Sequence, residues 1–337
     1  MPTKPMTPDY LTALIRDSLA AGGFSATNAD IVSRHLVDAE MKGVSSHGVN
    51  RLGLYLSEAA NDVIDPKAEP VVTSPRGGLL HVDGAKGIGI VAMARATEAL
   101  IETASTHGIA AGGIVNCGHS GRMGAYAEQA AKTGFLALSF GGGGRRKWGN
   151  VVPFGGVQPV MSTNPYTLGL PGKPDDPVVC DFAISTVATG KVAVARANHE
   201  TLPPGAVIDK NGDESQDPEA YYDGGALLPA AGPKGSGLGI VAELMGDAML
   251  GDCLEYNWLM ILIRTDAFQP QSTYDNRAAA FVDQVRSTKA AAGFDKVIMP
   301  GERETTLAKT AAANGIIIGD GVWADIVKTA RSVGVNA

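Results

Sequence analysis

Apolar residues recur at intervals of three and four along the first sixty residues, a spacing that places them on one face of a helix. The pattern predicts helices over residues 7–21, 28–42 and 50–60. Thr7 suits the N-cap of the first helix, because its hydroxyl can accept a hydrogen bond from an N–H of the first turn. The polar segment Ser45-Ser46-His47-Gly48 interrupts the pattern before the third helix. The chain is therefore predicted to begin with a small helical unit.

From residue 68 onward, short apolar runs alternate with stretches of helical spacing, which indicates an α/β core. The predicted strands cover residues 79–83, 109–116, 135–140, 178–182, 206–208 and 258–264. The predicted helices cover residues 88–105, 123–133, 234–250, 278–290, 304–314 and 321–333. We expect the last two helices to return to the first ones. Residues 1–70, joined by 304–337, would then form one helical unit beside an α/β core of residues 71–303.

Charge and composition argue against several classes of protein. The 337 residues include 35 acidic and 28 basic side chains, for a net charge of -7, and no basic run exceeds Arg145-Arg146-Lys147. Nucleic-acid binding needs a clustered basic field, so none is expected. No run of 18 apolar residues exists, so no membrane span is expected. The three cysteines lie far apart, which argues against a disulfide framework and for a cytoplasmic protein.

Three glycine-rich segments are candidates for phosphate binding. Residues 87–92 follow a predicted strand and precede a helix, but the next strand lacks the acid of a dinucleotide fingerprint, which favours a tight turn. Residues 141–144 precede three basic residues, a combination that suits either an anion site or a mobile surface loop. Lys234 opens a glycine-rich helix whose N–H groups would favour a phosphate. None of the three has the spacing of a P-loop.

The segment Gly118-His119-Ser120-Gly121 has features of the nucleophile elbow of a serine hydrolase. That motif needs glycine two positions after the serine, where Arg122 stands, so the spacing argues against a hydrolase that uses Ser120 and His119. A histidine in a glycine-rich turn after a buried strand is nevertheless a suitable place for chemistry. His119 is therefore kept as a candidate.

The spacing of the six histidines does not predict a metal site, because no two lie four apart on a helix and no carboxylate joins them at ligand spacing. His47 stands out because Arg51 follows it by one turn. A neutral imidazole can take a proton from a hydroxyl group, and a guanidinium can hold a carboxylate through two hydrogen bonds. The alternative interpretation of this segment is a loop that only breaks the helix.

Seven short motifs, in order along nearly the whole chain, resemble those of the malate/L-lactate dehydrogenase type of NAD(P)-dependent oxidoreductase. They are Ser46-His47-Gly48 with Arg51, residues 119–124, Thr163-Asn164-Pro165, residues 181–185, Gly190-Lys191, Lys234-Gly235 and Pro300-Gly301-Glu302. Within that family the chain looks closest to the hydroxycarboxylate dehydrogenase B type. Two features depart from the family pattern. Ser162 stands where the family usually has glycine, and residues 141–150 are unusually rich in glycine and basic residues.

The resemblance implies a fold, a cofactor and a reaction. The fold would be a non-Rossmann α/β type, in which a mixed β-sheet core binds NAD or NADP and a helical unit is built from both chain termini. The family forms homodimers. Its reaction moves a hydride between NAD(P) and the α carbon of a small 2-hydroxy or 2-oxo acid. Neither the acid nor the preference between NAD and NADP follows from the motifs.

The resemblance also assigns site residues. His47 would donate and accept the proton, with His119 as a second catalytic candidate. Arg51 would meet the substrate carboxylate, with Arg122 as a second cation. The implied cofactor contacts are His47, Gly121, Arg122, Met123, Val179, Cys180, Asp181, Phe182, Ala183, Lys234, Asn257, Gly301, Glu302, Arg303 and Glu304.

Two other functions stay open beside the hydrolase. An NAD(P)H-dependent reductase of a cyclic imine carboxylate would need the same carboxylate clamp but a different proton donor. A non-catalytic nucleotide-binding protein would bind the cofactor and turn over no 2-oxo acid.

Overall fold

The N-terminal helices form where the apolar spacing predicts them in the computed structural model, which describes residues 5–336. Helix α1 spans Pro8–Ala21 and α2 spans Ala26–Met41. The Thr7 hydroxyl accepts a hydrogen bond from the Tyr10 N–H at 3.2 Å, so Thr7 caps α1 as predicted. Helix α3 spans Leu52–Ala60 and is shorter than predicted, because two 3-10 turns precede it.

Both chain ends contribute to one helical assembly. Near the C-terminus lie α11, Glu302–Asn314, and α12, Asp320–Ser332. Helix α11 packs against α2, and α12 packs against α1 and α3. Met6 and Ile316 exchange backbone hydrogen bonds of 2.9 and 2.8 Å. The prediction of a helical unit built from both termini is confirmed.

A mixed sheet of seven strands forms the α/β part of the fold, in the order β1-β2-β3-β10-β4-β5-β6. The strands are β1 Val71–Arg76, β2 Leu79–Asp83, β3 Ile109–Val115, β4 Phe135–Gly142, β5 Tyr166–Lys173, β6 Asp176–Phe182 and β10 Asn257–Arg264. Strands β1 and β2 pair antiparallel, whereas β2 and β3 pair parallel. The predicted mixed sheet is therefore confirmed.

The remaining elements complete the chain. The other helices are α4 Gly89–His107, α5 Gly124–Lys132, α6 Arg145–Trp148, α7 Thr189–Asn198, α8 Pro218–Tyr222, α9 Pro233–Glu243 and α10 Gln271–Arg286. A small three-stranded sheet contains β7 Val207–Ile208, β8 Glu214–Ser215 and β9 Ala226–Leu227. Helix α9 continues as a π-helix over Leu244–Met249. The predicted helix 234–250 therefore consists of an α-helical part followed by a π-helical part. None of the helices within residues 5–336 combines the length and apolar character that crossing a membrane requires.

The sequence pattern did not predict β1, β5 and α7, and their composition and burial explain why. Strand β1 is exposed at five of its six positions and contains Pro75, so it has no apolar alternation. Strand β5 contains Gly169, Pro171 and Gly172, residues that ordinarily mark loops. Helix α7 buries only Val192 and Ala195, too few to show a helical period.

The chain divides into two compact units. The first combines the chain up to Leu138 with Leu168–Cys180 and the chain from Ile261 onward. The second consists of Ser139–Thr167 and Asp181–Met260. The predicted division into 1–70 with 304–337 and 71–303 stays a prediction, and its ends at 1–4 and 337 lie outside the described residues.

The glycine cluster at 141–144 allows close backbone packing within the second unit. All four glycines are buried. A Cβ atom on Gly142 would lie 1.9 Å from the Ala242 carbonyl oxygen, and one on Gly246 would lie 2.0 Å from the carbonyl carbon of Gly142. Two backbones therefore touch where only glycine fits. The interpretation of this segment as a mobile surface loop is wrong.

We expect Gly142→Ala to lower the free energy of unfolding by about 1–3 kcal/mol or more, because the new methyl group meets backbone that cannot readily move aside. Gly237→Ala is the matched control, since no atom lies within 4 Å of its added Cβ and the residue is inside α9. It should be neutral or stabilising by about 0.5–1 kcal/mol. Urea denaturation followed by circular dichroism measures both. Equal stability of the two variants would contradict the close backbone contact.

Candidate active site

Two histidines far apart in the chain stack against each other in the first unit. His47 ends the 3-10 turn Ser45–His47, which follows α2. His119 lies in the loop that joins β3 to α5. Their ring centroids are 5.3 Å apart, with an interplanar angle of 24°. The structure thus brings together both residues that were predicted to be catalytic.

Close backbone packing sets the path of the loop that carries His119. Gly121 has φ +68°, and an added Cβ would lie 2.2 Å from His35 Nε2. A Cβ on Gly89, the first residue of α4, would lie 2.2 Å from the Gly118 carbonyl oxygen. The loop therefore lies directly against the start of α4. The tight turn lies just before the segment 87–92, at residues 85–86, and residues 89–92 already belong to α4.

Hydrogen bonds hold each of the two imidazole rings at Nδ1. The Tyr55 hydroxyl lies 2.7 Å from His119 Nδ1, and the Gly121 N–H donates to the same nitrogen at 3.3 Å. The Ser46 hydroxyl lies 2.9 Å from His47 Nδ1. Tyr55 is completely buried, whereas Ser46 is exposed. His119 is therefore the more tightly held of the two rings.

Both histidines are neutral at neutral pH. Burial, followed by the positive charges of Arg51 and Arg122, lowers the pKa of His47 to about 4. Burial, with His47, Arg51 and His35 nearby, lowers the pKa of His119 well below its ordinary value. Burial removes water that would stabilise the imidazolium, and neighbouring cations oppose a further positive charge. A neutral imidazole can accept a proton.

Arg51 stands beside this pair with its charge available. Its Nε donates to the Ser46 carbonyl oxygen at 2.6 Å, which fixes the base of the guanidinium. Within residues 5–336, its two terminal nitrogens make no hydrogen bond or ion pair. The guanidinium can therefore hold a carboxylate through two parallel hydrogen bonds.

Arg122, the second predicted cation, is committed to a buried charge network. It is 5% exposed and lies 3.1 Å from Asp38 and 3.0 Å from Glu128. Lys42 pairs with the same two carboxylates, at 2.7 Å from Asp38 and 2.6 Å from Glu128. Two cations and two anions compensate each other. Arg122 therefore lies behind the site, where it pairs with buried carboxylates, and is not at the surface of the site.

His35 links this network to the loop of His119. Its Nε2 accepts a hydrogen bond from the Arg122 N–H at 2.8 Å, and burial lowers its pKa to about 3. Its ring stacks on Tyr126 at 5.4 Å. The local sequence does not predict the contact of His35 with Arg122. Its partner lies 87 residues along the chain, beyond the reach of any periodic pattern.

Known proteins match the chain over almost its whole length. Residues 6–327 match the sequence profile described as malate/L-lactate dehydrogenase. The chain belongs to the malate/L-lactate dehydrogenase family. Ureidoglycolate dehydrogenase (NAD(+)) of Escherichia coli strain K12 is 31% identical, covering 96% of this chain and 95% of that protein. The (2R)-3-sulfolactate dehydrogenase (NADP(+)) of Chromohalobacter salexigens is 33% identical over 69% of this chain and 68% of that protein.

Further members support the same placement. Hydroxycarboxylate dehydrogenase B of E. coli O157:H7, the type that the motifs suggested, is 30% identical and covers 93% of this chain and 90% of that protein. The crystal structure of delta1-piperideine-2-carboxylate reductase from Pseudomonas syringae pvar. tomato is 30% identical, with a TM-score of 0.87 over 97% of this chain and 100% of that one. The expectation of an NAD(P)-dependent oxidoreductase is confirmed at the level of the family.

Several predicted cofactor residues of this family member meet at the start of α11. Val179 in the middle of β6 donates its N–H to the Pro300 carbonyl oxygen at 3.1 Å. Gly301 has φ +84°, and an added Cβ would lie 3.4 Å from Val179. Among the described residues, the N–H groups of Arg303 and Glu304 have no acceptor. Backbone donors at a helix start suit phosphate or hydroxyl oxygens, so this place fits a dinucleotide.

Other predicted cofactor residues of the first unit have structural partners. The Glu302 carboxylate accepts hydrogen bonds from Lys296 and Arg286 and from the Met299 N–H, and these contacts, Lys296 foremost, lower its pKa to about 2. The N–H groups of Gly121 and Arg122 donate to His119 and His35. Met123 is buried at the N-terminus of α5, and Cys180 is exposed.

The predicted cofactor residues of the second unit differ in exposure. Phe182 and Lys234 are exposed, and Ala183 is partly buried. The exposed Asp181 accepts a hydrogen bond from the Thr167 hydroxyl at 2.8 Å. Asn257 is fully buried and donates to the carbonyl oxygens of Gly246 and Gly251. Asn257 therefore holds the end of the π-helix in its unit.

The structure also bears on the serine-hydrolase hypothesis and on metal binding. No hydrogen bond joins the side chains of Ser120 and His119, both within the described chain, and His119 Nδ1 instead contacts Tyr55. Together with the family membership, this removes the support for a serine hydrolase. Residues 5–336 contain no group of three or more side chains suited to a metal ion.

The buried charge network generates a stability prediction. Glu128→Gln should lower the free energy of unfolding by about 3–5 kcal/mol, because two buried cations would then face one carboxylate. The matched control is Glu98→Gln, which removes a pair with Arg95 in which both side chains are more than half exposed. That change should stay below about 1 kcal/mol. Urea denaturation measures the free energy of unfolding of both variants. A loss for Glu128→Gln as small as that of Glu98→Gln would contradict the role of the network.

Proposed function

We propose that this chain moves a hydride between NAD or NADP and the α carbon of a small 2-hydroxy or 2-oxo acid. The observation that carries the proposal is the stack of His47 and His119 beside Arg51. It combines neutral imidazoles, which can move or share a proton, with a guanidinium that can hold a carboxylate. Relatives that are named as dehydrogenases of hydroxy acids support it.

In the proposed reaction, Arg51 binds the substrate carboxylate and so orients the neighbouring α carbon. His47, neutral at the start, takes the proton of the 2-hydroxyl group during oxidation and returns it during reduction of a 2-oxo acid. A bound nicotinamide supplies or accepts the hydride. The partial burial of His47 and His119 would limit the access of water to the reacting oxygen.

For the cofactor, we propose contacts with Val179 and with the start of α11, residues 301–304. Two features support a cofactor site here. The N–H groups of Arg303 and Glu304 can donate hydrogen bonds, and Gly301 has a positive φ and no side chain. The exposed residues Lys234 and Phe182 belong to the second unit and stay predictions as cofactor contacts. The choice between NAD and NADP is left to experiment.

A second candidate is the reduction of a cyclic imine carboxylate. The relative of known structure that is named as a delta1-piperideine-2-carboxylate reductase favours it, at 30% identity over the whole of that chain. Arg51 would hold the carboxylate of an imine acid in the same way. The two candidates differ in the atom that receives the proton, which is oxygen in one and nitrogen in the other.

The test follows the absorbance of NADH and NADPH with a panel of 2-oxo acids and cyclic imine acids. We expect turnover with at least one 2-oxo acid and a loss of about 10²–10⁴-fold in kcat for His47→Ala. His107→Ala is the matched control, because His107 is exposed at the end of α4. Turnover of imine acids alone would favour the second candidate. Full activity of His47→Ala would overturn the role of His47.

A pH profile tests the state of His47. Its pKa is lowered to about 4, so the base is neutral and competent at pH 7 and becomes protonated only in acid. We expect kcat/KM for oxidation of the 2-hydroxy acid to be level from neutral pH to about pH 5 and to fall below it. Recovery of activity after return to pH 7 controls for acid unfolding. A midpoint near 6.5, the ordinary histidine value, would contradict the buried site.

We propose further that the chain works as a cytoplasmic homodimer. Leu238, Val241 and Leu244 are exposed at intervals of three on α9 and the π-helix that continues it. A second copy would cover this apolar stripe, whereas a monomer would leave it in water. Within residues 5–336, Cys117, Cys180 and Cys253 form no disulfide, which suits a reducing compartment. Sedimentation of a single 34.7 kDa chain at micromolar concentration would contradict the dimer.

A further inference from the structure

The surroundings of His119 determine which of its nitrogens carries the proton. Two groups lie against Nδ1, the Tyr55 hydroxyl at 2.7 Å and the Gly121 N–H at 3.3 Å. A backbone N–H can only donate, so this longer contact favours Nδ1 as an acceptor without a proton, while the shorter contact with Tyr55 supplies most of the stabilisation of that tautomer. The Tyr55 hydroxyl therefore donates as well. The proton of the neutral ring lies on Nε2.

A ring fixed in this way has one chemical role. Nε2–H can donate a hydrogen bond to an oxygen atom, but it cannot take a proton from a hydroxyl while the ring is neutral. His47 is not restricted in this way. Its Nδ1 contacts only the Ser46 hydroxyl, which rotates and can either donate or accept. The two stacked histidines are therefore not equivalent.

Tyr55 is built to hold this arrangement. It lies on α3, is completely buried, and its ring centroid lies 5.9 Å from that of His119. Helix α12 from the C-terminal end of the chain packs against α3, the helix that carries Tyr55. A fully buried aromatic side chain has little freedom to turn away.

We propose that Tyr55 is a positioning residue that fixes His119 as its Nε2–H tautomer, so that His119 donates a hydrogen bond to the substrate 2-oxygen while His47 exchanges the proton. The assignment of the two histidines to the reaction rests on the proposed function. The tautomer itself rests only on the contacts at Nδ1 and can be measured without any substrate.

The first experiment reads the tautomer directly. Protein with ¹⁵N-labelled histidine is compared as wild type, Tyr55→Phe and Tyr274→Phe at neutral pH. Tyr274 is the matched control, because its partly buried hydroxyl donates to the Pro171 carbonyl oxygen, so the variant also loses one hydrogen-bonded hydroxyl. We expect the wild type and the control to show protonated Nε2 and bare Nδ1 at His119. Tyr55→Phe should show a mixture of tautomers. An unchanged Nε2–H tautomer in Tyr55→Phe would overturn the role of Tyr55.

The second experiment asks whether Tyr55 acts through His119. With the best 2-oxo acid, Tyr55→Phe should lower kcat by about 3- to 10-fold, the range set by one hydrogen bond, with little change in KM. In His119→Gln, the amide NH₂ replaces Nε2–H and has no tautomer to fix. Tyr55→Phe should therefore change kcat by less than about 2-fold in that background. The same loss in both backgrounds, or a rise in KM alone, would overturn the proposal in favour of a structural or substrate-binding role. Absence of turnover by the wild type would refute the proposed function, while the tautomer measurement would still decide the role of Tyr55.

Discussion

The site depends on the buried ion pairs that connect α2 to the loop of His119. Asp38 and Lys42 come from α2 and its end, whereas Arg122 and Glu128 come from the loop and from α5. Burying the charges of Lys42, Arg122 and Glu128 is unfavourable unless each finds a partner, and here Glu128 and the partly exposed Asp38 each pair with both cations. The four ion pairs hold the end of α2 against the loop of His119 and α5. His47, just beyond α2, stacks on His119.

Burial and neighbouring cations determine the charge of His47. Burial lowers its pKa most, and the positive charges of Arg51 and Arg122 add to the effect, so the imidazole is neutral at neutral pH. A substrate carboxylate on Arg51 would offset that charge and raise the pKa of His47 toward its ordinary value. Binding of an anionic substrate would thus favour the protonated form of His47, which is the form needed to donate a proton during reduction. A neutral ligand would not have this effect.

Glycine serves packing in this chain more than it serves phosphate binding. Gly142 and Gly246 let two backbones touch, and Gly89 lets the loop of His119 lie against α4. The basic residues after the 141–144 cluster are also occupied, since Arg145 pairs with Asp247 and Glu243, and Arg146 lies near Asp247 and Asp252. A glycine-rich, basic segment is therefore ambiguous in sequence, because close packing and anion binding demand the same residue types.

The sequence alone determined the local features of this protein. The cap at Thr7, the helical spacing of α1 and α2, and strands β2 and β3 depend on residues a few positions apart, and the short motifs around His47 and Arg51 identified the family. The tertiary structure decided the rest. The insertion of β10 between β3 and β4, and the contact of Tyr55 with a histidine 64 residues away, join distant segments. Periodic patterns report only on neighbours within one or two turns, so such contacts follow from packing and charge pairing in three dimensions.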